Sequence, residues 1–78
     1  MKPFVVIETD FGDVGYIKGF QTLMDAQSHY DNTSHYGAMI IKRDKRLRET
    51  IIAHKGLSMD VIKALMGTDK VVIRLMKN

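Results

Sequence analysis

Apolar side chains fall in short runs of two different periods along the chain. Residues 3–9 (PFVVIET) are β-branched and aromatic and predict a strand, closed by Asp10-Phe11-Gly12-Asp13, whose residue types favour a turn. Glycines at 12, 15 and 19 each cost about 1 kcal/mol inside a helix, so residues 15–20 (GYIKGF) are expected to return along the first strand as a second. Thr22 with Asp25 three positions later is a variant of the capping box, in which a hydroxyl and a carboxylate satisfy amides left unpaired by a first helical turn. Leu23, Ala26 and Tyr30 then recur at i, i+3 and i+7 as one buried stripe. Residues 31–34 (DNTS), whose side chains compete for backbone bonds, end a helix of about ten residues.

The second half repeats this plan. Residues 38–42 and 47–53 read as two strands joined through Arg43-Asp44-Lys45-Arg46, a glycine-free link that favours a four-residue type I turn over a two-residue primed one. Lys55-Gly56 breaks the second strand, Ser58 caps a helix with Val61, Ile62, Leu65 and Met66 as its buried stripe, and Gly67 stops it. Residues 70–76 (KVVIRLM) close the chain as a strand. The predicted fold is one α+β domain over residues 1–78. It has two layers, an antiparallel sheet of four or five strands with two helices on one face, in the order ββαββαβ. If residues 15–20 stay unpaired, the order becomes the ferredoxin-like βαββαβ. A short echo between KGFQTLMDA (18–26) and KGLSMDV (55–61) fits an internal ββα duplication on a single match.

Composition narrows the function classes. A chain of 78 residues buries roughly 60% of its unfolded surface, which leaves little room for a secluded active site. It has no cysteine, so disulfides and thiolate metal sites are excluded and the apolar core must supply the stability. The longest apolar runs, at 4–7 and 38–41, are far shorter than a membrane span, and residues 1–3 open no secretion signal, so a cytoplasmic protein is expected.

Charge is unevenly spread. Residues 1–36 carry two lysines against five carboxylates, a net −3, whereas residues 37–78 carry ten Lys and Arg against four carboxylates, a net +6. Such asymmetry serves a polyanion-binding face, or two faces that attract one another in a homodimer. The basic half is concentrated at Lys42, Arg43, Lys45, Arg46 and Arg48, which the predicted hairpin places at its tip. These five are the candidate partner-binding residues. A nucleic acid would gain affinity there by counterion release, but RNA binders of this size add stacking aromatics beside their cations, and all six aromatics here lie in residues 4–36.

Other constellations are weaker. SHYDNTSHY (28–36) places His29, Asp31 and His35 close in sequence, yet the spacing matches no established metal site, and positions 29 and 31 point apart on a helix. No Ser or Cys nucleophile with an ordered partner is evident, so no catalytic residue, metal or cofactor is expected. His54 reads as a half-buried hydrogen-bonding residue. Asp10 and Asp13 lack the spaced ligands and closing glutamate of a calcium loop, and the glycines of GDVGYIKG (12–19) lack dinucleotide-fingerprint spacing. Of the six methionines, Met39, Met59, Met66 and Met76 fall in the second half and are expected to fill the core, or to form an adaptable docking face where they come to lie beside the basic tip.

His54-Lys55-Gly56-Leu57-Ser58, followed by Met59, Ile62, Leu65, Gly67 and Ile73-Arg74-Leu75, resembles the second half of the small bacteriophage inhibitors of uracil-DNA glycosylase. The likeness covers about half the chain and rests on structural punctuation. That family is implied to work as an acidic dimer with a DNA-like face; the +6 of this half departs from it, so the resemblance implies a ββαβ arrangement and no functional residue. The function expected is that of a small non-catalytic protein that binds another protein, as a phage-type inhibitor or accessory factor, with nucleic-acid backbone binding as the alternative.

Overall fold

The computed structural model describes residues 2–11, 13–46 and 48–66, which hold four strands and two helices. β1 (Phe4–Asp10) and β2 (Asp13–Phe20) form a hairpin, α1 (Leu23–Asp31) follows, β3 (Gly37–Arg43) and β4 (Glu49–Lys55) form a second hairpin, and α2 (Met59–Met66) comes last. All neighbouring strands are antiparallel, in the spatial order β2-β1-β3-β4. The expected α+β fold is present, and because β2 pairs with β1 from Phe4↔Phe20 to Asp10↔Asp13, the order is ββαββα rather than ferredoxin-like. The expected stop at Gly67 and strand over 70–76 lie outside the described residues.

The placement of the helices differs from expectation. Successive side chains of a strand point to opposite faces. Ala26 and Tyr30 of α1 pack with Val6, Ala38 and Ile40, while Ile62 of α2 packs with Val5, Ile7, Met39, Ile41 and Ile51. The two helices therefore cover opposite faces, and the protein has a helix, sheet, helix layering instead of two layers. The reason lies in the central strands: Phe4-Val5-Val6-Ile7 and Ala38-Met39-Ile40-Ile41 are apolar at both parities, and each parity has to be buried.

Local chemistry fixes the junctions. Thr22 Oγ1 accepts from Asp25 N at 3.2 Å and Ser58 Oγ from Val61 N at 3.3 Å, so the hydroxyl caps expected at both helix starts form. Leu23 is the exception to the expected stripe of α1, being 41% exposed. Phe11 turns the first hairpin at φ +53°, a left-handed conformation, and its ring stacks on Tyr36 with centroids 5.4 Å apart. Gly56 turns out of β4 at φ +65° where a Cβ would run into the carbonyl oxygen of Tyr36, so no other residue fits. Met39 is fully buried, as core filling requires, but Met24 and Met59 are exposed, and so is His54, contrary to its expected half-burial.

Candidate functional site

β3 and β4 carry the basic cluster to one end of the sheet. The connection is one residue longer than expected: β3 runs to Arg43, β4 starts at Glu49, and Asp44 N donates to Arg48 O at 3.1 Å to close the five-residue loop between them. Asp44 organises that loop. Its Oδ1 accepts from Arg46 N at 2.8 Å and Arg48 N at 2.9 Å, and its Oδ2 accepts from Arg48 Nε at 2.8 Å. These bonds, that from the Arg48 amide first, hold the Asp44 carboxyl below the ordinary carboxylate value.

The five cations divide into two sets. Arg43 stands opposite Glu49 in the ladder and donates from Nε to Oε2 at 2.9 Å, and Arg48 is held by Asp44. Lys42, Lys45 and Arg46 are exposed and form no ion pair among the described residues. Solvent screens surface ion pairs of this kind, so they add little stability and what they contribute is the shape of the loop. Lys42 stands opposite Phe4 in the β1–β3 ladder, and Pro3 O accepts from Arg43 N at 2.8 Å, so the N-terminal segment also braces this end.

The opposite end of the sheet assembles groups that local spacing did not connect. Glu8, on the α1 face of β1 and almost fully buried, lies 3.2 Å through Oε2 from His29 Nε2, and Asp10 Oδ2 lies 2.8 Å from His35 Nδ1. Asp10 Oδ1 also accepts from Tyr36 N at 3.0 Å. His29 stacks on Tyr16 at 5.6 Å and tilts against Phe20 at 5.3 Å. Burial pushes the Glu8 carboxyl up, but hydrogen bonds from Thr33 and His29 and the nearby imidazoles outweigh it and hold the group below its ordinary value. The Tyr36 amide and His35 do the same for Asp10. Each carboxylate is thus spent on fastening the 32–36 connection and α1 to the sheet. Among the described residues no group of three or more His, Cys, Asp or Glu is placed to hold a metal ion.

The sequence offered one signal for these pairs: Glu8 follows Phe4 and Val6 on a buried parity of β1, where a charged residue needs a partner. The partners, 21 and 25 positions away, could not be read from spacing. Lys55 is similarly committed, donating to Tyr30 O at 2.8 Å and lying 4.4 Å over the Tyr30 ring, where a cation suits the C-terminal end of α1. No described helix is long and apolar enough to cross a membrane. Compared with protein-family models, curated proteins and solved structures, the chain matches none significantly, and the likeness to the glycosylase inhibitors gains nothing from these comparisons.

Proposed function

We propose that the chain is a non-catalytic binding module whose 42–48 tip docks on an acidic patch of another protein, as an inhibitor or accessory factor would. The observation that supports this most is the division of the tip into cations that shape the loop, Arg43 and Arg48, and exposed cations held on it, Lys42, Lys45 and Arg46. A loop fixed before binding loses less conformational entropy on docking, and clustered like charges steer it to an acidic surface. Nucleic acid is the second reading. The exposed, stacked aromatics Phe11 and Tyr36 adjoin Asp10 and Gly37, at the end of the sheet away from the tip, so they offer no base-stacking platform beside the cations.

The test uses the triple charge reversal K42E/K45E/R46E, which leaves both shaping ion pairs intact. Affinity capture from a lysate of the encoding organism is expected to recover one protein with the wild type and lose it with the variant, and the purified pair should bind with an affinity that falls as salt rises. Identical recoveries would contradict the proposal. Salt-steep binding of labelled duplex DNA or RNA, abolished by the same reversal, would move the site to a polyanion.

A further inference from the structure

Among the described residues β2 is the edge of the sheet on the side away from β4, and all its residues from Asp13 to Lys18 are exposed. It does not look like a strand meant to face water. Val14 is 46%, Tyr16 42% and Ile17 60% exposed, and unpaired edges of this kind are templates for another strand. The usual protections are few. β2 holds no proline, and the bulge in the β1–β2 ladder falls between Glu8 and Thr9, opposite Gly15, which leaves Tyr16–Phe20 regular.

We infer that β2 pairs antiparallel with β2 of a second copy, about a two-fold axis through Ile17, to form one sheet continuous across both copies. Symmetry restricts the register. A two-fold axis perpendicular to the sheet maps each residue to the same face, while neighbouring residues face opposite ways, so a regular strand can pair with its own copy only when one residue opposes itself. Centring on Lys18 would set two lysines against each other, which is destabilising, and centring on Tyr16 would set Ile17 against Gly15, which has no side chain to cover it. Centring on Ile17 sets Ile17 against Ile17 and Tyr16 against Lys18 twice, all on the regular side of the bulge.

Each of these pairs has a physical reason to form. Ile17 stands opposite Ile7 and so lies on the α2 face, where the two copies would cover one another's most exposed large apolar side chain of β2. Tyr16 and Lys18, opposite Glu8 and Val6, share the α1 face. The Tyr16 ring is held by its stack on His29, and Lys18 Nζ already lies 5.4 Å over the Phe20 ring, so the ammonium would reach a second ring across the interface. The other edge, β4, is less suited. A register shift interrupts its ladder between Ile40 and Ile41, near the middle, and Glu49, His54 and Lys55 line it with polar groups.

The proposal is separate from the reading of the basic tip and is tested without it. Sedimentation equilibrium of the full chain should show a monomer–dimer equilibrium. I17K, which opposes two lysines at the axis, should raise the dimer dissociation constant about tenfold or more with an unchanged circular dichroism spectrum, whereas H54K on β4 should leave it unaltered. Because the chain has no cysteine, oxidation of Y16C/K18C reports the register directly and should give a disulfide-linked dimer. A wild type that is monomeric throughout, a dimer weakened by H54K and not by I17K, or oxidised Y16C/K18C that stays monomeric would each overturn the inference.

Discussion

The carboxylate of Glu8 and the imidazole of His29 meet at 3.2 Å across 21 positions of sequence, one from the centre of the sheet and one from the helix packed on it. With the Glu8 side chain 4% exposed, this pair is the principal polar fastening of α1 to β1, inside an otherwise apolar layer. E8A leaves His29 and Thr33 facing an apolar gap and is expected to cost about 1–3 kcal/mol in urea unfolding, with E8Q costing less because the amide still accepts. Equal stability of E8A and the wild type would mean that the pair fastens nothing.

The same groups set an acid limit. Glu8 and Asp10 both titrate below their ordinary values of 4.5 and 3.8 in the folded chain, so the unfolded chain binds more protons in this range. The stability they contribute is fully present above those ordinary values and is lost as pH falls through the lower folded ones. Unfolding midpoints of E8Q should therefore fall less steeply below about pH 4.5 than those of the wild type. Parallel curves would contradict the assignment.

Two substitutions test the layering. M39A and I62A each empty a fully buried site on the α2 face and should destabilise by about 2–5 kcal/mol, a large share of the stability of a small domain. An I62A variant as stable as the wild type would remove α2 from that face.

Gly56 is a sharper case. At φ +65° with the Tyr36 carbonyl where a Cβ would sit, G56A should cost more than about 1 kcal/mol, because both the backbone conformation and the space exclude it. A neutral G56A would mean that the Tyr36–Gly37 segment yields easily.

Much of this fold was legible locally. Thr22 and Ser58 announce their helices because a cap acts within three residues, and 3–9 and 38–42 read as strands, within one residue of β1 and β3, because β-branched side chains suit the pleat. The faces were legible in principle as well, since Val5 and Val6 are both apolar and a strand apolar at both parities needs cover on both sides. What could not be read was long-range. The partners of Glu8 and Asp10 depend on how α1 crosses the sheet, and the role of Asp44 in holding the Arg46 and Arg48 amides depends on how the loop closes around it.

Asp44 also separates shape from charge in the proposed recognition. D44A removes the acceptor for two loop amides and Arg48 Nε while making the tip more positive. Recognition by a preorganised loop predicts partner binding weakened about fivefold, the cost of ordering a side chain or two on docking. Tighter binding would show that charge alone acts.

The central claim is that the exposed cations of the tip touch a protein. A photo-crosslinking residue at Lys45, with one at the exposed Lys63 of α2 as control, tests this in the cell that makes the chain. The account predicts a single protein adduct at position 45 and none at 63. No adduct at 45, adducts to nucleic acid only, or the same adducts from both positions would contradict it.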